Sequence, residues 1–329
     1  MKNPLIFIIP LSLLFIGCSD DDEIQYQEIE DTFIISCPEP PIEILSNLDE
    51  DARFKGEGQL SYFCIIKEST SKYYMYYETY NNMVVAFKGQ IKFAYSIDGL
   101  HWERKIPDGY SNDNIIISNG VEGVSVVKIP DTEFPYRMFG YGEYGENRGI
   151  YMWKSQDGMH FTREGMVLEG TYDTQQVAVL KGDRIKIFTR LWSNDHKNRK
   201  IGVFYVNFDG NLISSPVFLQ DNYMYNSAAS ILDDVKYDFL FPTYFNNMMG
   251  STDEAYIKAL IVDGYNSKEI QCDINRWIEP EEPWVLVSPG IIDIAGEKYI
   301  AYQTNSWSHD AVKPDNGITK YKLMKIHIR

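Results

Sequence analysis

The chain has 329 residues, and its 47 acidic side chains outnumber its 31 Lys and Arg side chains. The resulting net charge of −16 and the pI near 4.8 oppose binding to phosphate backbones, so nucleic acid is not an expected partner. The length would allow two domains, but internal repeats favour one large domain.

The N-terminus has the pattern of a secretory leader. Lys2 and Asn3 precede an apolar run over residues 4–17, which is shorter than the roughly 20 residues of a membrane-spanning helix. The run ends in Phe15-Ile16-Gly17-Cys18, which resembles the lipobox of bacterial lipoproteins and implies that Cys18 is lipidated. We therefore predict that residues 1–18 are a signal peptide. A plain secretory signal is the alternative.

An acidic stretch follows the predicted leader. Residues 19–23 resemble the signal that sends lipoproteins of the Bacteroidota to the cell surface. This implies an outer-membrane or cell-surface protein, with a periplasm-facing one as the alternative, that meets the membrane only through Cys18. We interpret residues 19–50 as an acidic linker that also holds a candidate ring-closing strand.

An Asp-Gly turn recurs along the remaining chain. Its first two copies lie in Tyr95–Trp102 and Lys154–Phe161, and both follow Ser-x-Asp-Gly-x-x-aromatic. The Asp caps the turn, the Gly supplies a positive φ, and the aromatic side chain anchors the next strand. Weaker copies at Asp209-Gly210 and Asp263-Gly264 place the turns about 50 to 60 residues apart, a period typical of repeat architectures.

Two predicted strands precede each turn, and a fifth pair follows the last one. The aromatic-rich strands are Tyr73–Tyr80, Tyr136–Tyr144, Ile185–Trp192, Tyr237–Phe245 and Tyr299–Trp307. The shorter apolar strands before them are Leu60–Ile66, Val124–Ile129, Gln176–Leu180, Ala228–Leu232 and Gly290–Ala295. This spacing predicts an all-β fold, a five-bladed β-propeller of four-stranded antiparallel blades over residues 51–329.

The last predicted blade lacks a fourth strand, because the chain ends with its third strand at Thr319–Ile328. An unprotected sheet edge invites association with other chains. The β-prone segment Thr32–Ser36 is the expected donor of the missing strand.

The other motifs in the sequence give little indication of function. Three cysteines follow Cys18, namely Cys37, Cys64 and Cys272, so they can form at most one disulfide bond among themselves. Residues 140–145 satisfy Gly-x-Gly-x-x-Gly, but a strand follows them instead of a helix, and we interpret them as a loop between strands. We expect His101 and His160, inside the turns, to be structural. No metal-binding spacing is present, and a structural Ca²⁺ is left open.

The innermost strands of a propeller surround a channel, and residues at their leading ends converge on its mouth. Those residues are Glu57, Glu122, Asp173, Asn226 and Ser288. Acids at this place in three successive blades suggest acid-base chemistry. The alternative is that each acid accompanies a turn glycine.

The blade count, the Ser-x-Asp-Gly-x-x-aromatic turns and these acids resemble the five-bladed propeller glycosidases, a superfamily of arabinofuranosidases, xylosidases, fructosidases and mannoside phosphorylases. Sialidases are a poorer match, since their turn is one residue longer and they have six blades. In the arabinofuranosidase-like families the three acids are Asp, Asp and Glu, acting as base, pKa modulator and acid. The resemblance implies Glu57 as base, Glu122 as modulator or acid and Asp173 as acid, with the residue types changed.

Groups that could bind a sugar lie near the same mouth. Arg side chains can grip a sugar carboxylate with two hydrogen bonds, and aromatic rings can stack on sugar faces. The candidates are Arg148, Arg190, His196, Arg199, Trp192, Tyr225, Asn226, Tyr244 and Trp307. The Arg residues could instead be solvated loop charges, except that Arg190 lies inside a strand and is expected to have a partner.

The sequence therefore predicts a monomeric glycoside hydrolase that acts on an oligo- or polysaccharide without a cofactor. A non-catalytic glycan-binding lipoprotein on the same fold is the alternative. A scaffold without sugar chemistry is a third reading, and the fold alone does not choose among them.

Overall fold

The computed structural model describes residues 27–46, 59–80, 89–109, 114–118, 120–170, 176–192, 199–223, 230–231, 236–245, 255–278, 284–305 and 318–329. Strands make up most of these residues, with one short 3₁₀ helix at Ile274–Trp277. No helix in these ranges is long and apolar enough to cross a bilayer. The predicted signal peptide and Cys18 lie outside the described residues.

The strands form five four-stranded units among the described residues. Two N-terminal strands come first, β1 (Ile34–Ser36) and β2 (Ile42–Ser46). Unit 1 holds β3 (Gln59–Ser69), β4 (Lys72–Tyr80), β5 (Gln90–Ser96) and β6 (Glu103–Arg104), and β7 (Ile115–Ile117) also pairs with β5. Unit 2 holds β8 (Val121–Lys128), β9 (Tyr136–Tyr144), β10 (Asn147–Ser155) and β11 (Thr162–Glu169).

The remaining units follow the same antiparallel order. Unit 3 holds β12 (Gln176–Lys181), β13 (Arg184–Trp192), β14 (Arg199–Val206) and β15 (Val217–Tyr223). Unit 4 holds β16 (Ser230–Ile231), β17 (Asp238–Leu240), β20 (Ala259–Asp263) and β21 (Asn266–Cys272), with the hairpin β18 (Thr243–Phe245) and β19 (Ala255–Ile257) between β17 and β20. Unit 5 holds β22 (Trp284–Ile294), β23 (Glu297–Asn305), β24 (Thr319–Ile328) and β2. The predicted all-β fold of four-stranded antiparallel sheets is confirmed.

The core lies between neighbouring units. Five clusters of buried apolar side chains are each shared by two units: 1 with 2, 2 with 3, 3 with 4, 4 with 5, and 5 with 1. In the last of these, Leu60 and Phe63 of unit 1 pack with Ile292 and Tyr321 of unit 5. Because burying one large apolar side chain contributes about 1.5 to 3 kcal/mol, these interfaces dominate the favourable free energy of folding. The clusters close into a ring, as a propeller requires.

The N-terminal segment supplies the fourth strand of unit 5. Strand β2 pairs antiparallel with β24 from Ile42, opposite Leu323, to Ser46, opposite Lys320. The sequence predicted Thr32–Ser36 as the donor of this strand. That segment contains β1, which pairs with only the last residues of β24 and runs parallel to β21 of unit 4. The segment therefore covers one sheet edge and joins two units.

The first two Asp-Gly turns have the same hydrogen bonds. Ser155 Oγ accepts hydrogen bonds from the backbone N–H groups of Asp157 and Gly158. Asp157 Oδ1 accepts hydrogen bonds from the backbone N–H groups of Met159 and His160, both at 2.8 Å. Ser96 and Asp98 repeat this network. Gly99 and Gly158 have φ of 81° and 75°, as the turn predicts. Both turns join the third strand of a unit to its fourth.

Each turn packs against the preceding unit. Tyr76 of unit 1 donates to the carbonyl of Gly158 in unit 2 at 2.9 Å. Added Cβ atoms at Gly99 and Gly210 would meet Ile294 of unit 5 and Met152 of unit 2. Each turn also places an aromatic side chain in the cluster shared with the preceding unit. These side chains are Trp102 against unit 5, Phe161 against unit 1, Phe208 against unit 2 and Tyr265 against unit 3. The turn is therefore a docking element as well as a chain reversal.

Several local predictions were wrong in detail. The third turn is capped by Asn207, whose Oδ1 accepts from Asp209 and Asn211, and not by Asp209. The strand predicted at Tyr237–Phe245 is broken after Leu240, because Pro242 cannot donate to a ladder. Strand β22 begins at Trp284, so Ser288 lies inside it and not at its leading end.

The glycine-rich string is also not a loop. Gly140 and Gly142 lie within β9, and Gly145 forms the tight turn before β10 with a φ of 70°. A Cβ at Gly142 would come within 2.7 Å of the Gly120 carbonyl oxygen. Close packing against the start of β8 explains the glycines, and no helix follows to hold a pyrophosphate.

Asp157→Ala tests the turn network. Partial burial acts to raise the pKa of Asp157, but hydrogen bonds from His160, Met159 and Ser155 outweigh it and hold that pKa well below its usual range. The pKa of His160 is raised by Asp157 and by the Asp108 carbonyl. The carboxylate therefore stabilises the fold above the unfolded pKa near 4, and the imidazolium stabilises it below the unfolded pKa near 6.5. We expect Asp157→Ala to cost about 1 kcal/mol, since the carboxylate is 40% exposed.

The loss should be largest between about pH 4 and 6.5 and smaller at pH 3 and pH 9 in urea unfolding. Asp209→Ala is the matched control, because Asn207 caps that turn, and it should show no such maximum. A loss for Asp157→Ala that does not vary with pH would contradict the assigned network.

Candidate functional site

The two ends of the units differ in polarity. We call the end where the first strand of each unit begins the upper end, and the end with the Asp-Gly turns the lower end. Buried polar side chains gather at the upper ends of all five units: Glu78, Thr79, Glu122, Gln176, Thr189, Arg190, Thr243, Gln303, Thr304 and Thr319. Burying a polar group is unfavourable unless it finds a partner. The upper ends therefore concentrate polar groups in the interior of the fold, and among the described residues the polar atoms of Gln176 and Thr189 find no partner there.

The buried charged groups Lys186, Asp238 and Arg137 at the lower ends have partners in neighbouring units. Lys186 of unit 3 is 2% exposed and lies 2.9 Å from Asp238 of unit 4, which also meets Lys181 at 2.6 Å. Burial lowers the pKa of Lys186, and the charge of Asp238 opposes this effect. Arg137 donates to the carbonyls of Phe208 and Phe134. These groups join neighbouring units and need no ligand.

Glu122 lies at the upper end of unit 2 and is 5% exposed. It is the second residue of β8 and lies opposite Tyr141. A β-bulge in β8 lies between Glu122 and Ser125. Gly123 provides the bulge with a φ of 57°. Tyr141 shares a sheet face with Phe139, which packs against unit 3, so Glu122 lies on that face too.

Two residues of unit 3 face the same junction. Gln176 lies opposite Thr189, and the residues two positions along each strand, Ala178 and Ile187, pack against unit 2. The Ala178 N–H donates to Ser125 Oγ of unit 2 at 3.0 Å and fixes the two strands to each other. Glu122, Gln176 and Thr189 therefore meet at the upper end of the junction between units 2 and 3.

Gln176 has an unusual environment. It is fully buried, and in the part of the chain that the structure describes neither its Oε1 nor its Nε2 has a hydrogen-bond partner. The same holds for Thr189 Oγ1. An unsatisfied buried donor or acceptor costs about 1 to 3 kcal/mol. A buried amide and hydroxyl in this state are suited to a ligand that supplies both donors and acceptors.

Sequence reasoning missed Glu78 in unit 1. It lies in β4 opposite Ile91, on the face toward unit 2, and is fully buried. Its carboxylate lies against the backbone of Gly89, and a Cβ added at Gly89 would overlap the carboxylate. The signal was available, because Glu78 is a charged residue inside an aromatic strand, the argument applied to Arg190.

Two of the three candidate arginines, Arg148 and Arg190, have described side chains, and their settings differ. Arg190 lies in β13 opposite Ile201, on the face toward unit 4, and is 5% exposed. Arg148 is the second residue of β10, next to the β9–β10 turn. Its side chain is 51% exposed and forms an ion pair with Glu143 at 2.9 Å. Both arginines thus lie at the upper ends, Arg190 buried between units 3 and 4 and Arg148 on the exposed rim of unit 2.

The remaining predicted site residues are only partly placed. Trp192 and Arg199 pair with each other at the ends of β13 and β14, and Tyr244 lies in β18, all three at the upper ends by their backbone positions. Glu57, Asp173, His196, Tyr225, Asn226 and Trp307 lie outside the described residues. Within the described ranges, no group of three or more His, Cys, Asp or Glu side chains is arranged to hold a metal ion.

Solved structures share this fold. A thermostable family-43 glycoside hydrolase is 12% identical, with a TM-score of 0.58 over 87% of this chain and 92% of that one. An N-acetylgalactosamine deacetylase from F. plautii, in complex with blood group B trisaccharide, is 12% identical, with a TM-score of 0.58 over 88% and 95%. An α-L-arabinofuranosidase from Podospora anserina is 9% identical, with a TM-score of 0.54 over 90% and 97%.

No protein-family model matches the chain, and no curated protein sequence matches it. At these low identities the likeness establishes the fold, which is that of the family-43 and family-62 glycoside hydrolases. The expected resemblance to propeller glycosidases is confirmed at this level.

Gln176→Leu tests whether the buried amide has a structural role. Because its polar atoms have no partner among the described residues, we expect the substitution to raise the free energy of unfolding by about 1 kcal/mol in urea titrations, and Thr189→Val to act in the same direction. Ser125→Ala is the control and should lower it by about 1 kcal/mol, because the Ala178 N–H loses its acceptor. Destabilisation by Gln176→Leu would show that the amide supports the fold.

Proposed function

We propose that the protein is a glycoside hydrolase acting on an oligo- or polysaccharide at the upper ends of the propeller units. The observation that carries this proposal is the set of carboxylates, amides and hydroxyls buried together at that end of the units. Glycosidic cleavage needs one carboxyl group that donates a proton and one carboxylate that acts on water or on the sugar carbon. The fold shared with family-43 and family-62 enzymes supports the same conclusion.

The proposed roles follow the position of each acid. Glu57 is the base, Asp173 is the acid, and Glu122 is the modulator or a second acid. The burial of Glu122 supports an electrostatic role, because charges act more strongly on each other where water is excluded. Glu78 adds another buried carboxylate on the neighbouring unit.

Substrate binding is assigned to polar and aromatic groups around these acids. Gln176 and Thr189 offer an amide and a hydroxyl that lack partners in the described structure, which suits hydrogen bonding to sugar hydroxyls. Arg190 adds a buried cation at the next junction. Arg148, His196, Arg199, Trp192, Asn226, Tyr244 and Trp307 complete the proposed set.

The proposed location is the outer membrane or cell surface, through lipid on Cys18. The support is the sequence Phe15-Ile16-Gly17-Cys18 alone. Cys18→Ser should remove incorporation of labelled fatty acid and release the protein from the membrane fraction. Retention of the label in that variant would refute the assignment.

The decisive test is product analysis on a panel of oligosaccharides. We expect new reducing ends, and a loss of turnover of at least about 100-fold for Glu57→Gln, Glu122→Gln or Asp173→Asn, since a positioned acid or base contributes 10²–10⁴-fold. Glu164→Gln is the control, because that carboxylate lies on the outer strand of unit 2 in an ion pair with Lys154 at 3.0 Å.

Other outcomes would replace the proposal. Release of acetate without new reducing ends would indicate a deacetylase, the reaction named for one protein of this fold. Saturable binding of a glycan without any product would indicate a carbohydrate-binding protein. Equal turnover in all three variants would place the reaction elsewhere.

A further inference from the structure

Two of the cysteines meet where the N-terminal segment joins unit 4. Strand β1 runs parallel to β21 with Ile35 opposite Cys272, and Cys37 follows two residues later on the same face. Cys37 is fully buried in the cluster between units 4 and 5, and Cys272 packs against that cluster. The two thiols lie close enough for each to shift the pKa of the other.

The backbone of Cys37 is held in place from both sides. Its N–H donates to Asp273 Oδ1 at 2.6 Å, and its carbonyl accepts from Trp277 Nε1 at 2.9 Å and from the Arg276 guanidinium. All three partners follow Cys272 within a few residues, in or next to the 3₁₀ helix. The same short segment therefore fixes the backbone around both cysteines.

We propose that Cys37 and Cys272 form a disulfide bond that fastens the N-terminal segment to unit 4. Cys64, the other described cysteine, is fully buried in the cluster between units 1 and 2 and takes no part. The bond lies where β1 pairs with β21 of unit 4 and with β24 of unit 5. It thus ties the N-terminal segment covalently to unit 4, where β1 is otherwise held by two short strand pairings.

The thiols differ in a way that suits stepwise oxidation by an external disulfide. The neighbouring Cys37 thiol lowers the pKa of Cys272, which is partly exposed, whereas the Cys272 thiol and burial raise the pKa of Cys37. The Cys272 thiolate attacks one sulfur of the external disulfide, breaks its S–S bond and releases a first thiolate. Cys37 then attacks Cys272 in the mixed disulfide, and the second thiolate leaves. The external disulfide gains two electrons, and the two released thiolates take up the protons of Cys37 and Cys272.

Peptide mapping of the full chain tests the bond directly. The protein is purified reduced, incubated with oxidised glutathione, denatured and alkylated. We expect a linked peptide pair that contains Cys37 and Cys272. Full alkylation of both residues, glutathione retained on Cys272, or linkage of either residue to another cysteine would each overturn the proposal.

Thermal unfolding provides an independent measurement. The loop closed by the bond includes most of the chain, and constraining so long a loop should raise Tm by about 5 °C or more in the oxidised protein. Cys37→Ser and Cys272→Ser should abolish this difference between oxidised and reduced protein. Cys64→Ser should keep it, even if that variant is less stable in both states. An unchanged difference in Cys272→Ser would exclude the assigned pair.

Discussion

The docking of each Asp-Gly turn on the preceding unit is the contact on which the rest of the structure depends. The Ser and Asp side chains fix the turn, and the fixed turn presents its backbone and its aromatic residue to the neighbour. The hydrogen bond from Tyr76 to the Gly158 carbonyl and the burial of Trp102 against unit 5 are two instances. Because the contact recurs from unit to unit, a short sequence motif sets the order of the ring.

This arrangement separates stability from chemistry along each unit. The lower ends hold the turns, in which Ser and Asp side chains cap the backbone N–H groups, and the ion pair of Lys186 with Asp238. The upper ends hold Gln176 and Thr189, whose polar atoms have none among the described residues. Functional sites are commonly less stable than the scaffold around them. The contrast between the two ends agrees with a site at the upper ends.

The sequence predicted the features that depend on local residue types. Asp98 and Asp157 with their glycines define turns wherever they occur, so the repeat and the all-β fold could be read directly. Gln176 was missed because its burial depends on the neighbouring unit, which the sequence does not show, whereas Glu78 could have been found as a charged residue inside an aromatic strand. The capping of the third turn by Asn207 was missed because Asn and Asp are interchangeable as turn acceptors. Strand β2 was missed because an edge strand needs only weak β propensity.

Pairing of β1 and β2 with β24 also has a consequence for how the protein is made. Strand β2 receives its partner β24 only after units 1 to 4 have been synthesised. Contacts between residues so far apart in sequence form slowly. Until then the edge of β2 is open to pairing with other chains, so the nascent protein depends on being kept apart from its neighbours.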